Sequence, residues 1–245
     1  MSSKIGLNLT RNYSINFSLP KRQKKTIKFL IIHYTGMKKE TSAIKKLRNP
    51  KSKVSSHYFI KNNGQIVNFV PDEYTAWHAG ESSWKNFKSL NKYSIGIEIN
   101  NPGHTHGYRK FNTKQIFSLS KLLNYLVKKF KIKKQNILGH SDVAPYRKKD
   151  PGENFPWNKL ALKNLCIWHN VSKKIKIKNR KIKIKPHEEK VFLSNLNVLG
   201  YSKLKKIDYQ KNKKYLTMAF QRRYRQELID GKIDKECLII SNSLK

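Results

Sequence analysis

At 245 residues the chain has room for one large domain or two small ones, and 53 Lys and Arg against 15 Asp and Glu leave a formal net charge of +38. That balance excludes an acidic solvating protein, and 38% hydrophobic residues with 11% aromatics exclude wholesale disorder. Two cysteines, Cys166 and Cys237, are too few for a disulfide scaffold or a four-cysteine zinc site, and no run approaches the ~20 apolar residues of a membrane span.

Residues 1–25 read as an extended polar arm ending in the basic cluster KRQKK. From Ile27 the composition turns apolar, and IKFLIIHY has the β-branched and aromatic content of a buried strand. ETSAIKKLR (40–48) predicts a short helix stopped by Asn49-Pro50. SHYFI and QIVNFV, joined through Asn62-Asn63-Gly64, predict a β-hairpin, and YSIGIEI (93–99) predicts a further strand. With Asn112 or Thr113 as the cap, Ile116, Leu119, Leu122, Leu123, Leu126 and Val127 share one face of a long helix. NILGH predicts a short strand ending in a histidine, SDVAPYRKKDPG a loop, and WNKLALKNL a closing helix.

The stretch 171–186, VSKKIKIKNRKIKIKP, is basic without an acidic residue and alternates in its KIKIK blocks, so it reads as a linker or extended arm. Three helical patterns follow, EEKVFLSNLNVLG, KYLTMAFQRRYRQEL and DKECLIISNSL, which make a small bundle. Lys, Ile and Asn are abundant from end to end, a usage that biased base composition produces as readily as selection for a polyanion does. No helix-turn-helix, RNA-sheet motif or zinc-finger spacing accompanies the charge, so a specific nucleic-acid site is not expected.

Three residues stand out by placement: His33 and His140 each end an apolar strand, and Asp150 lies ten residues beyond His140. Two imidazoles and a carboxylate with a fourth position open are the ligand pattern of a catalytic zinc, although two of eight histidines also end strands by accident. Glu98, in IGIEIN, faces away from Ile97 and Ile99; buried, it would be a general base with a raised pKa, and exposed, an ordinary edge-strand acid. A cation near such a site would stabilise an oxyanion, but Arg147, Lys148 and Lys149 are adjacent and composition does not choose among them. His57 and His78 compete as ligands, and Trp77-His78 reads either as the wall of a substrate cleft or as core packing.

FLIIHYTG, SHYFIKNNGQIVNFVPDEYTAWHAG, YSIGIEINNPG and GHSDVAPYRKKDPGENFPW occur in this order and together resemble the zinc-dependent N-acetylmuramoyl-L-alanine amidases of the amidase-2 type, relatives of the peptidoglycan recognition proteins. The resemblance covers residues 26–165 and implies an α/β fold, a mixed central sheet flanked by helices. It implies one Zn²⁺ held by His33, His140 and Asp150, with Glu98 as acid/base and Lys148 as the oxyanion-stabilising lysine. Tyr34, His57, Trp77, His78, Asn100 and Arg147 are the expected substrate contacts. AFQRRYR and DGKID, within 188–245, resemble the small three-helix peptidoglycan-binding domain, with 166–187 as a basic linker between the two. The implied activity is cleavage of the amide between the lactyl group of N-acetylmuramic acid and L-alanine in peptidoglycan or muropeptides, with anionic envelope polymers as further partners; a non-catalytic peptidoglycan binder is the alternative, and a nucleic-acid binder, suggested by the charge alone, the remote one. The first twenty residues show neither a secretory leader nor an early lipid-acceptor cysteine, so the cytoplasm is the expected location and the cell envelope the alternative.

Overall fold

A computed structural model describes residues 8–204 and 207–244; the first seven residues of the expected arm lie outside this range. The strands are β1 (Leu9–Arg11), β2 (Phe17–Ser18), β3 (Phe29–Tyr34), β4 (Tyr58–Ile60), β5 (Ile66–Asn68), β6 (Thr75–Ala76), β7 (Ser83–Trp84), β8 (Phe87–Lys88), β9 (Ser94–Ile99) and β10 (Ile137–Gly139). The helices are α1 (Glu40–Arg48), α2 (Thr113–Phe130), α3 (His140–Val143), α4 (Trp157–Leu162), α5 (Lys173–Asn179), α6 (Pro186–Leu199), α7 (Tyr209–Tyr224) and α8 (Lys235–Asn242).

Six strands form one mixed sheet in the order β1-β5-β4-β9-β3-β10. β3, β4, β9 and β10 run parallel to one another, and the β4–β5 hairpin supplies the antiparallel pair. The expected mixed α/β fold is what the sheet and its flanking helices show. Strand alternation sends Leu30, Ile32, Ile95, Ile97 and Ile99 to one face, where Leu119, Leu122, Leu123 and Leu126 of α2 cover them. Asn112 is the cap of α2: its side chain accepts from the Gln115 backbone while Gln115 returns to the Asn112 N–H. Ala43 and Leu47 of α1 pack on Phe59 and Val67 of the opposite face.

Two expectations are corrected. The described part of the expected arm, from residue 8 on, does not stand free of the sheet, because β1 pairs in parallel with β5, Leu9 opposite Ile66, and Asn16 Nδ2 donates to the Asn49 and Val54 carbonyls, both at 2.9 Å. An uncovered β5 edge would leave its backbone donors and acceptors exposed, and this segment takes them up. The first KIKIK block is not extended either, but lies in α5. Ser172 caps α5 by accepting from the Ile175 N–H, and the inward position of the helix is Lys176, paired with Glu227 at 2.8 Å. A buried lysine with a carboxylate partner inverts the pattern by which amphipathicity is read, since Ile175 and Ile177 are the exposed residues.

The C-terminal helices do not stand apart from the sheet. Phe29, Ile31 and Leu138 form one buried cluster with Phe192 and Leu196 of α6, Phe220 and Tyr224 of α7 and Ile240 of α8. Among the described residues no helix is long and apolar enough to cross a membrane.

Candidate metal and active site

Three parallel strands deliver the site at their carboxyl ends, where open α/β sheets place ligands. His33 is the fifth residue of β3 and lies opposite Glu98 of β9, so both side chains leave the sheet on the face away from α2. His140 follows β10 directly and opens the single turn of α3, where a plain loop had been expected. The loop to Asp150 folds back on that turn, with the Ser141 N–H donating to the Asp150 carbonyl at 2.8 Å and the Lys148 N–H to the Ala144 carbonyl at 3.0 Å.

His33 Nδ1, His140 Nδ1 and Asp150 Oδ2 form a nearly equilateral triangle: 2.9 Å between the two nitrogens, and 2.9 and 3.0 Å from each to the oxygen. All three residues are buried. Burial, and then the neighbouring His140, push the His33 imidazole down to about 4, so it is neutral. Burial alone would favour a protonated Asp150, but the imidazoles of His140 and His33 hold its carboxyl well below the ordinary range. His140 Nε2 lies 3.1 Å from the Ala79 carbonyl, which can only accept, so Nε2 carries the proton and a neutral ring offers Nδ1 as a bare lone pair. A lone pair facing a carboxylate oxygen at 3.0 Å is repulsive without a cation between or beside them. Among the described residues this is the group of histidine, cysteine or acidic side chains placed to hold a metal ion, and its donor set fits one.

A cleft of about 400 Å³ opens over the triangle, within the range of small-ligand sites. Glu98 lines it, with Oε2 buried and without a hydrogen-bond partner. Burial first, and the Asp150 charge second, raise its carboxyl well above the ordinary glutamate range, while Lys148 and Lys46 pull the other way. The three adjacent basic residues separate by contact. Arg147 spends its guanidinium on the Ala79 and Glu81 carbonyls, and Lys148 is the one whose charge acts on both Glu98 and His33.

Of the expected substrate contacts, Tyr34, Trp77, His78 and Arg147 line the cleft. Trp77 donates its indole N–H to Ser18 Oγ at 2.8 Å, which fixes the ring as a wall. His57 does not belong to the cleft lining. It is fully buried beneath it, accepting from the Gly96 N–H at Nδ1 and meeting Arg22 and the Tyr74 carbonyl at Nε2. Asn100 is also buried behind the cleft, where its Oδ1 accepts from Thr35. The lining residues that escaped the sequence reading include Lys46 on α1 and His104, whose Nδ1 lies 2.8 Å from the Tyr34 hydroxyl. Lys46 looked like one more lysine of a charged helix face. His104 had a signal in the turn Asn101-Pro102-Gly103, because Gly103 sits at φ +68° and a Cβ there would come within 2.6 Å of the Tyr34 ring.

Residues 23–153 match the family described as N-acetylmuramoyl-L-alanine amidase. Over 230 residues the chain is 33% identical to the N-acetylmuramoyl-L-alanine amidase AmiD of Escherichia coli (strain K12), a match covering 89% of this chain and 82% of that protein. The solved complex of E. coli AmiD with the substrate anhydro-N-acetylmuramic acid-L-Ala-D-gamma-Glu-L-Lys superposes with a TM-score of 0.79 at 31% identity, covering 93% of this chain and 91% of that one. AMPDH3 from Pseudomonas aeruginosa, in complex with anhydromuramic pentapeptide, superposes with a TM-score of 0.77 at 27% identity, covering 96% and 97%.

Proposed function

The chain belongs to the amidase-2 family of N-acetylmuramoyl-L-alanine amidases, and from that premise we propose a metal-dependent hydrolase that cuts the amide between the N-acetylmuramic acid lactyl group and L-alanine, acting on anhydro-muropeptides during peptidoglycan recycling. The single observation that carries this reading is the triangle of bare donor atoms with the unpartnered Glu98 Oε2 in the same cleft. The anhydro form of the substrate is supported by the ligands of the two similar complexes.

His33, His140 and Asp150 would hold the cation, and zinc, the metal the family resemblance implies, suits a donor set of two imidazoles and one carboxylate. When bound, that ion supplies Lewis acidity at the scissile carbonyl and lowers the pKa of water toward ~7. Glu98 takes the proton of the attacking water at Oε2 and returns it to the leaving alanine nitrogen, a double role that a raised pKa suits near neutral pH. Lys148 places its ammonium against the negative charge that develops on the carbonyl oxygen. Tyr34 and Trp77 give the sugar and peptide flat walls. The net charge of +38 concentrates the chain on stem-peptide carboxylates and anionic envelope polymers, an attraction screened beyond roughly 8 Å at physiological ionic strength.

The test is incubation of zinc-loaded full-length protein with anhydro-muropeptides and, separately, with intact sacculi, with products identified by mass. The expected products are the free stem peptide and the peptide-free anhydro sugar, lost on treatment with a chelator and restored by zinc. Binding of muropeptide with no product from the zinc-loaded chain would replace the hydrolase by a binding protein.

A further inference from the structure

Behind the triangle runs a chain of hydrogen bonds with only one consistent direction. Ser94 Oγ lies 2.6 Å from the Leu90 carbonyl, which can only accept, so the single hydroxyl proton is committed there. His78 Nε2 lies 3.2 Å from the same Oγ and must therefore donate to it. A neutral imidazole carries one N–H, so His78 Nδ1 is an acceptor. His33 Nε2 lies 3.0 Å from that Nδ1 and must be the donor. The His33 proton is thereby held on Nε2, and Nδ1, which points into the triangle, keeps its lone pair.

The position of His78 is built for this. Its ring lies on Gly96, where an added Cβ would fall 2.6 Å from Nδ1. Its own N–H and that of Ala79 both donate to Asn91 Oδ1, at 3.1 and 2.7 Å. The alternative proton placement shows what the arrangement prevents. With its proton on Nδ1, His33 would donate to Asp150 Oδ2 at 2.9 Å and close one edge of the triangle with an internal hydrogen bond, leaving His33 no lone pair there for a cation.

We propose that His78, seated on Gly96 and backed by Ser94, is a positioning residue that holds the His33 proton on Nε2 and so keeps the ligand triangle open for its cation. The proposal rests on the metal reading above and adds to it the part of this chain that sets one ligand's tautomer. The same segment serves the other histidine, since the Ala79 carbonyl accepts from His140 Nε2.

Two measurements on the full-length, metal-stripped chain test it. The first is zinc affinity, by competition with a chromophoric chelator. Ser94→Ala, which deletes one oxygen, and His78→Leu, which deletes the acceptor, are expected to weaken binding about 10–100-fold, the usual effect of losing an outer-shell partner of a metal-bound histidine. His78→Gln offers an amide oxygen to His33 Nε2 and is expected to regain part of that loss, which a purely space-filling role would not produce. The second is the ¹⁵N spectrum of the His33 ring, expected to show the proton on Nε2 in the parent and a shift toward Nδ1 in Ser94→Ala. Parent-like zinc affinity in both Ser94→Ala and His78→Leu, or a parent His33 protonated on Nδ1, overturns the proposal. A parent that shows the expected tautomer but binds no zinc overturns the metal reading instead.

Discussion

Arg223 offers the sharpest test of how the C-terminal helices relate to the site. It lies on α7, is 2% exposed, and reaches across to α3, where Nη1 meets Asp142 Oδ2 at 2.7 Å. Nη2 donates to the Ile137 carbonyl at 3.0 Å, and the guanidinium stacks 4.0 Å above the Trp157 ring. Asp142 also accepts from the Gly139 N–H and the Tyr201 hydroxyl, so one carboxylate joins β10, the turn that begins with His140, and the C-terminal bundle. Arg223→Met keeps the bulk and deletes the charge, leaving Asp142 buried with two neutral donors. Breaking one side of a buried pair costs about 3–5 kcal/mol, which for a chain of this size lowers Tm by roughly 6–20 °C. Asp142→Asn combined with Arg223→Met removes both charges and is expected to be less destabilised than the sum of the single variants by about 1–3 kcal/mol. Urea unfolding followed by fluorescence and circular dichroism gives both numbers. Two conditions must hold together: a cost above ~1 kcal/mol for Arg223→Met, the ceiling for an exposed pair, and one coincident transition for sheet and helices. A cost below that ceiling, or separate transitions, would refute the view that the bundle shares its core with the sheet and braces the His140 turn.

Glu98→Gln is expected to abolish turnover while zinc stays bound, measured by product mass and metal content. Because burial raises the Glu98 pKa in the fold, its ionised form costs stability that grows as pH rises above the ordinary glutamate value and vanishes below it. The metal-free Gln variant should therefore gain stability at neutral pH and lose that gain in acid; equal stability at both pH values would contradict the burial argument. Lys148→Met should reduce turnover by about 10²–10³ with zinc affinity kept, and a loss confined to KM would remove Lys148 from the oxyanion. Lys46 lowers the Glu98 pKa by its charge, so Lys46→Met should move the acid limb of kcat/KM to higher pH, and a downward or absent shift counts against Glu98 as the group that limb reports.

The parts of the fold legible in the sequence are those governed by burial. FLIIHY reads as a strand because both of its faces are covered, Leu30 and Ile32 by α2 and Phe29 and Ile31 by the C-terminal bundle. The Glu98 orientation follows from strand alternation alone, since Ile97 and Ile99 fill the opposite core. Where charge is buried, the reading inverts. Lys176, Arg223, Arg225 and Glu236 look in sequence like solvated surface, yet each is buried against a partner: Glu227, Asp142, Asp234 and Arg180 in turn. Pairing across 9 to 81 residues leaves no periodic trace, because the partner is chosen by the fold and not by spacing along a helix.

The AWHAG segment shows the same limit at the site itself. Beside an aromatic residue, a histidine in sequence reads as a ligand or as a cleft wall, and the choice depends on where its two nitrogens point. In the fold both nitrogens of His78 are engaged before any substrate or metal arrives, one toward His33 and the other toward Ser94. Gly96 and Ser94 lie on the same face of β9 as Glu98, so a single strand face carries the ring's seat, its proton acceptor and the candidate base. The glycine of IGIEI would have been the available signal. A strand glycine flanked by buried isoleucines marks the close approach of something large, and here that object is the His78 imidazole, seated between His33 and Ser94.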